Sequence, residues 1–256
     1  MLIVLSPAKK LDWDVPHDEV RQPAFQEEAN ILAGHARELS VDDLKALMGL
    51  SDDLARLNRD RFHAMDEASD ADNSRPAALV FAGDTYQGLE ARTMEPHAIA
   101  FAEDRLRILS GLYGLLGPLD SIQAYRLEMG SRLRSGRGGN LYAFWGDRIA
   151  RALDAQAAAI GTDTLVNCAS QEYFGAVDRK ALGLRVITPR FLEDGPKGPR
   201  VVSFHAKRAR GAMARFVCEN RLTDPDAITG FDAGGYVHMP ELSDGPDQPA
   251  FLRRAA

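Results

Sequence analysis

Three carboxylates in this sequence stand close to tyrosines, each near the end of a short apolar run. The pairs are Asp84 with Tyr86, Glu128 with Tyr125, and Glu172 with Tyr173. A carboxylic acid in such a place can transfer a proton in general acid–base catalysis or accept a hydrogen bond from a ligand. The three carboxylates are therefore the candidate catalytic groups. Asp84 has an equally good structural explanation, because aspartate commonly begins a helix.

Positive side chains occur near the same points of the chain. Lys207 and Arg210 are spaced three residues apart and so share one face of a predicted helix. Such a face near a helix start can hold a phosphate if it lines a cleft, or can simply face solvent. Outside the helix pair described below, the candidate phosphate-binding residues are Lys9, Arg126, Lys207, Arg208 and Arg210.

Arg126 and Glu128 occupy alternate positions, so a β-strand at residues 125–130 would aim both charges to the same side. In an enclosed place the two charges need each other or a ligand. The preceding stretch, RILSGLYGLLGPLDSIQAYRLEMG from Arg107, contains glycines and a proline that predict turns after a strand beginning at Leu106. This organisation fits either a binding site or a packed core turn with one structural ion pair.

Residues 40–65 predict two helices joined by a short hairpin. Ser40 is a good N-cap for the first helix, and Gly49-Leu50-Ser51 separates it from the second. The order resembles a helix-hairpin-helix DNA-binding unit, in which backbone N–H groups hold a phosphate, although serine replaces the second glycine of that motif. A plain antiparallel helix pair explains the pattern equally well. The phosphate-binding candidates here are Gly49, Ser51, Arg56 and Arg59.

The composition is that of a globular protein able to bury a large core. The chain has 256 residues, 45% of them hydrophobic and 27% charged, with a formal net charge of −6. The acidic balance argues against a protein that coats nucleic acid non-specifically. Residues 197–218, however, carry six basic side chains and no acidic one. That local charge suits a partner whose phosphates are held in a groove.

Several classes of protein are disfavoured. No apolar run approaches the roughly 20 residues that cross a bilayer, and the start of the chain lacks the pattern of a signal peptide. Cys168 and Cys218 have neither metal-binding nor disulfide-framework spacing. We therefore expect a reduced, cytoplasmic protein with no membrane partner, no metal and no cofactor. Without an internal repeat, one domain covering residues 1–256 is the expected organisation.

The apolar runs predict a mixed α/β fold with a central sheet flanked by helices. The predicted strands begin at Leu2, Ala77, Leu106, Leu165, Arg185 and Arg200. A last hairpin is predicted near Tyr236, and residues 240–249 predict a loose acidic tail. If the strands are parallel, their C-terminal ends lie along one edge and bring the carboxylates and cations into one cleft.

The chain closely resembles the YaaA family of bacterial peroxide stress proteins. The resemblance rests on SPAK, LMGLSDDLARLNRDRF, GDTYQGL, LSGLYGLLGPLD, YRLEMG, LYAFWGD, NCASQEYF, and SFHAKRARGAMARF with ENRLT. It implies a role in hydrogen peroxide stress that holds down free iron and so limits oxidative damage to DNA. It also implies DNA binding through the helix-hairpin-helix element and a positively charged cleft. The acidic tail and the loop SRLRSGRGGN depart from the family pattern.

Two functions remain open at this point. The first is a stress protein that binds duplex or branched DNA with little sequence preference, because no base-reading recognition helix is evident. The second is an enzyme that makes or breaks a glycosidic bond in a nucleotide or nucleobase ligand, although no residues have nucleophile–base spacing. An iron-binding protein is a third and weaker hypothesis. The histidines are scattered, so an iron effect is expected to be indirect.

Overall fold

The computed structural model describes residues 1–16, 19–196 and 198–254. Lys197, one of the six basic residues noted above, lies outside the described residues. The strands are β1 Leu2–Leu5, β2 Lys10–Leu11, β3 Ser74–Pro76, β4 Phe81–Ala82, β5 Leu106–Ser110, β6 Gly114–Leu116, β7 Ser121–Gln123, β8 Thr164–Cys168, β9 Arg185–Ile187, β10 Arg190–Glu193, β11 Tyr236–His238 and β12 Ala250–Arg253. The α-helices are α1 Gln26–Arg37, α2 Val41–Met48, α3 Asp52–Ala64, α4 Ala77–Val80, α5 Asp84–Leu89, α6 Pro96–Arg105, α7 Leu141–Trp145, α8 Arg148–Ala159, α9 Gln171–Phe174 and α10 Ser203–Glu219.

The central sheet has the strand order β6-β5-β1-β8-β9. Its strands β5, β1, β8 and β9 are parallel, and β6 lies antiparallel to β5 at the edge. Every residue of β1 and β8 is buried, as expected for parallel strands covered on both faces. The mixed α/β fold with a central sheet is confirmed. The chain extends the sheet from β1 to β5 on one side and later to β8 on the other, which puts the topological switch point between β1 and β8.

The two predicted helices in residues 40–65 are α2 and α3. Ser40 closes a capping box with Asp43 at the start of α2, and Gly49 ends that helix in the left-handed conformation at a φ of 61°. Ser51 caps α3 by accepting a hydrogen bond from the N–H of Leu54. Capping interactions alone therefore explain how α2 ends and how α3 begins, and they say nothing about DNA binding by the helix pair.

Two strands predicted from apolar runs are wrong. The run from Ala77 forms helix α4, followed by a two-residue strand that pairs with β2 outside the central sheet. A short apolar run has the same pattern in a buried helix and in a buried strand, so periodicity does not separate them. Arg200 forms only an isolated bridge with Glu193, because helix α10 begins soon afterwards at Ser203. Residues 125–130 are likewise not a strand.

The loose acidic tail is also a prediction that the structure corrects in part. Residues after it form β12, which lies parallel to β10 and antiparallel to β11. Within residues 240–249, Pro240–Leu242 form a 3₁₀-helix, and Asp244 and Asp247 pair with Arg190 and Arg185. The segment is therefore held in place ahead of a strand whose partner lies about sixty residues earlier in the chain. The hairpin predicted from Gly230-Phe231 and Gly235-Tyr236-Val237 is wrong, because Pro225–Gly230 and Ala233–Gly235 are 3₁₀-helices and the strand at Tyr236 pairs with β12 instead. None of the helices in the described residues is long and apolar enough to cross a bilayer.

Candidate functional site

A cleft with a volume of about 430 Å³ opens at the C-terminal ends of β1 and β8, beside the switch point. We call it the strand-end cleft. Its lining includes the three candidate carboxylates and three of the candidate cations from distant parts of the chain: Asp84, Glu128, Glu172, Lys9, Lys207 and Arg210. Ligands of open α/β sheets bind in this position, so the convergence has a topological cause. The structure thus brings these six residues together as the sequence predicted.

The ends of β1 and β8 are joined by a serine pair at the base of the cleft. The hydroxyl of Ser6 accepts a hydrogen bond from the N–H of Ser170 at 2.9 Å and lies 3.4 Å from the hydroxyl of Ser170. The buried phenol of Tyr86 donates to the carbonyl oxygen of Ser6 at 3.1 Å. These bonds fix the backbone at the switch point, and sequence reasoning missed the serines because hydroxyls are common at strand ends.

Glu128 is the most strongly paired carboxylate of the strand-end cleft. Its Oε1 lies 2.9 Å from Nη2 and 3.2 Å from Nε of Arg126, and 3.1 Å from Nζ of Lys9. The side chains of Arg126 and Glu128 are only 15% and 13% exposed, whereas Lys9 is 66% exposed. Arg126 therefore pairs with Glu128 from behind, while Lys9 contacts it from the solvent side. The three contacts use the same oxygen and leave Oε2 outside them.

The position of Glu128 depends on a close backbone approach in the glycine-rich stretch. A Cβ on Gly111 would stand 2.2 Å from the carbonyl oxygen of Leu127, so only glycine fits there. The indole N–H of Trp145 donates to the carbonyl oxygen of Gly111 and holds this turn in place. Gly111, in the glycine-containing stretch that suggested a binding site, is therefore required for backbone packing directly beside the cleft residue Glu128.

The other two carboxylates, Glu172 and Asp84, are held in the cleft by different parts of the fold. Glu172 is exposed at the mouth of the cleft, where its Oε1 accepts a hydrogen bond from the N–H of Gly130 at 3.0 Å. Its neighbour Tyr173 is shielded from water, and this burial raises the pKa of its phenol far above the ordinary range. Asp84 is the first residue of α5 and is brought to the cleft by the pairing of β4 with β2.

Helices α5 and α10 cross in direct backbone contact through two glycines. A Cβ on Gly211 would stand 1.7 Å from the carbonyl oxygen of Thr85, and one on Gly88 would stand 1.9 Å from that of Arg208. Side chains at these two positions would force the helices apart. The crossing therefore sets where the cations of α10 stand relative to Asp84.

Arg210 has no oppositely charged partner among the described residues. It is partly buried, and this burial lowers the pKa of its guanidinium. No carboxylate among the described residues forms an ion pair with it, and the group that acts electrostatically on its pKa is the thiol of Cys168. A partly buried cation without a carboxylate partner is expected to gain stability from an anionic ligand.

The remaining candidates stand elsewhere. Arg208 lines a different groove, of about 600 Å³, on the other side of α10 with Phe204 and His205. The candidates of the helix pair are absent from the strand-end cleft, namely Gly49, Ser51, Arg56 and Arg59. Acidic side chains dominate near the hairpin, because Asp52 and Asp53 occupy the first turn of α3.

A groove of about 680 Å³ lies between the helix pair and the basic loop. Its lining combines Asp43 and Leu47 of α2 with Arg132 and Arg134 of the loop. Arg132 and Arg134, of the loop SRLRSGRGGN, thus line the same groove as Asp43 of α2. This groove and the strand-end cleft have no lining residue in common.

Comparison with known proteins identifies the family. A family model described as peroxide stress protein YaaA matches residues 1–242. The chain belongs to this family. The similar proteins include UPF0246 proteins of Roseobacter denitrificans, 64% identical, and Ruegeria pomeroyi, 62% identical, each alignment covering 99% of this chain and 98% of the relative. A UPF0246 protein of Jannaschia is 58% identical over 100% of this chain and 98% of its own. The resemblance stated from the motifs is confirmed.

No group of three or more His, Cys, Asp and Glu side chains among the described residues is arranged to hold a metal ion. Of the three carboxylates of the strand-end cleft, Glu128 pairs with the cations Lys9 and Arg126.

We predict that neither cysteine reacts rapidly with peroxide or other thiol reagents. Burial raises the pKa of Cys168 and of Cys218 to about 12, although Arg210 acts in the opposite sense on Cys168. The reactive thiolate is then on the order of 10⁻⁴ to 10⁻⁵ of the thiol near pH 7.5, against roughly a tenth for an unperturbed cysteine. Ellman's reagent should label the native protein at least about 100-fold more slowly than the guanidinium-unfolded protein.

The pH dependence gives a second check on the same prediction. A thiol whose pKa is raised stays protonated well above pH 9, so the labelling rate of the native protein should still be rising at pH 9. A rate that levels off near pH 8.5, or fast labelling at pH 7.5, would contradict the burial of the thiols.

Proposed function

We propose that this peroxide stress protein binds DNA, and that the strand-end cleft holds a phosphate-bearing nucleotide of the bound strand. The observation that carries the proposal is the position of Arg210, a partly buried cation without a carboxylate partner among the described residues, in the same cleft as Lys207 and Lys9. Phosphate oxygens are the ligands that guanidinium and ammonium groups bind most readily. The overall charge of −6 directs the DNA to local basic surfaces rather than to the whole protein.

The helix pair is proposed as a second and weaker contact. Gly49 and Ser51 have the backbone geometry from which N–H groups at the start of α3 can contact a phosphate. Asp52 and Asp53 stand at the same helix start and repel a phosphate there. Arg56 and Arg59 on α3, and Arg208 on the outer side of α10, are proposed to contact phosphates beyond the cleft.

We propose that the protein protects DNA against iron-dependent damage because, once bound, it covers the DNA. The proposal takes the peroxide stress role from the family and the DNA contact from the basic residues of the cleft. It requires shape recognition with little sequence preference, because phosphate contacts carry no base information. Duplex and branched DNA are both candidate partners, and the protein acts at its proposed location in the cytoplasm.

Binding that depends on phosphates should be sensitive to salt. Anisotropy titrations of fluorescent duplex and branched DNA should lose affinity steadily between about 50 and 200 mM salt, since each phosphate contact releases counterions. Six Lys and Arg side chains are proposed above to contact phosphates, so the logarithmic slope should be about −5 if all of them do so. An affinity that is the same at both salt concentrations would contradict the proposal.

An enzyme acting on a nucleotide or nucleobase is the second candidate function. The observation that favours it is the presence of Asp84, Glu128 and Glu172 in the same cleft as the cations. Simple phosphate binding gains nothing from three carboxylates, whereas glycosidic-bond chemistry uses an acid and a base. Chromatography of nucleotides and DNA incubated with the protein should then show free nucleobase, and Glu128→Gln should abolish its release. Bound DNA that releases no base would rule this candidate out.

A further inference from the structure

A second and larger cleft lies directly beside the strand-end cleft. It has a volume of about 1170 Å³, and we call it the neighbouring cleft. Ser170, Glu172 and Arg210 line both clefts, so they form a common wall. The end of β8 divides the two spaces, because Cys168 lines the strand-end cleft while Asn167 and Ala169 line the neighbouring one.

The lining of the neighbouring cleft differs in chemistry from that of the strand-end cleft. It contains the exposed amide side chains of Gln171 and Gln248, which can hydrogen-bond to the edges of a nucleobase. The amide of Asn167 is buried and is already used, because it accepts from the N–H of Ala169 and lies 3.4 Å from the hydroxyl of Thr188. The lining also contains Phe174, with the guanidinium of Arg179 at 5.8 Å from its ring centre. The amides and the aromatic ring can bind a base, while Arg179, Arg190 and Arg210 of the same lining can bind the phosphate next to it.

We propose that the two clefts bind two successive nucleosides of one DNA strand, with Arg210 at the phosphodiester between them. The inference rests on the proposed function and specifies its substrate class as a dinucleotide unit of unpaired DNA. A phosphodiester at the common wall would give Arg210 the anionic partner that the described residues lack. The neighbouring nucleosides then lie on the two sides of the end of β8.

The test compares a nucleotide with a dinucleotide by isothermal titration calorimetry. Thymidine 5′-monophosphate can fill one cleft, whereas the dinucleotide thymidylyl-(3′→5′)-thymidine can fill both. We expect the dinucleotide to bind about ten-fold or more tightly than the monophosphate, because it adds base contacts in a second cleft. Equal affinities would overturn the inference.

Two sets of variants locate the subsites. Gln171→Ala combined with Gln248→Ala removes two exposed amides of the neighbouring cleft and should weaken the dinucleotide about five-fold or more. The monophosphate affinity should change less than about two-fold if it occupies the strand-end cleft. Arg210→Met should weaken both ligands, whereas Arg148→Ala with Arg151→Ala, on α8, should weaken neither.

The outcomes separate this inference from the proposed function. If the amide double variant binds the dinucleotide as tightly as the parent while Arg210→Met still weakens long DNA, the two-cleft inference is wrong and DNA binding stands. If the amide variant weakens both small ligands equally, they share one cleft and the inference is again wrong. If Arg210→Met leaves long DNA binding unchanged, the proposed function itself fails.

Discussion

Replacing Gly211 with alanine is expected to destabilise the protein by about 3 kcal/mol, at the upper end of the range for overpacked cores. The added Cβ would stand 1.7 Å from the carbonyl oxygen of Thr85, and it would also press on the backbone N–H of Leu89. Because the obstructing atoms belong to the backbone of α5, no side chain can rotate away to relieve the clash. Differential scanning calorimetry should show a Tm lower by about 6–12 °C.

Gly34 provides the matched control for this prediction. It also lies inside a helix, α1, but a Cβ there meets nothing within 4 Å. Gly34→Ala should raise stability by about 0.5–1 kcal/mol, because alanine loses less conformational entropy in a helix. If Gly211→Ala proved as stable as Gly34→Ala, the α5–α10 crossing would not be in direct backbone contact. The assigned position of the α10 cations would then be wrong.

The convergence of the site could be predicted because it follows from topology. Apolar runs beginning at Leu2 and Leu165 identified two strands, and polar residues after each run marked their C-terminal ends. Parallel strands place those ends at one edge, and because β1 and β8 are neighbours in the sheet, Lys9 and Glu172 line the same cleft. Asp84 reached the same cleft by a different route, through β4 and β2, although the strand predicted before it is a helix.

Other parts of the site depend on contacts that no local pattern contains. Arg208 lies away from the cleft because of how α10 is rotated about its axis. That rotation is fixed by the close contact of α10 with α5, which is distant in sequence, at Gly211 and Gly88. Gln248 reaches the neighbouring cleft because the following strand, β12, pairs with β10 across a long stretch of chain. Strand pairing of this kind depends on tertiary packing more than on intrinsic propensity. Sequence reasoning therefore read that region as a loose tail.

Replacing Lys207 and Arg210 together with alanine is expected to cause the largest loss of DNA affinity of any pair of basic residues. Each charge-assisted contact to a phosphate contributes about 1–3 kcal/mol, so the loss of two contacts should weaken binding by roughly 30- to 20,000-fold. Stability should be unchanged or slightly higher, because Arg210 is partly buried without a carboxylate partner among the described residues. Loss of binding without loss of stability is the signature of a ligand-binding pair.

Arg148 and Arg151 are the matched control pair. They have the same spacing of three residues on a helix, and their replacement removes the same two charges. They contact acidic neighbours outside the clefts, Glu28 and Asp147, and their side chains are 38% and 74% exposed. Because they line neither cleft, the control variant should bind DNA within about three-fold of the parent, the residual effect being non-specific charge.

The most direct test of the account is an anisotropy titration of one labelled branched DNA with three proteins at a single salt concentration. The proteins are the parent, Lys207→Ala with Arg210→Ala, and Arg148→Ala with Arg151→Ala. The account predicts that only the first double variant loses affinity, by roughly 30-fold or more, while all three proteins unfold at nearly the same temperature. Equal affinity of the two double variants for DNA would contradict the strand-end cleft as the binding site.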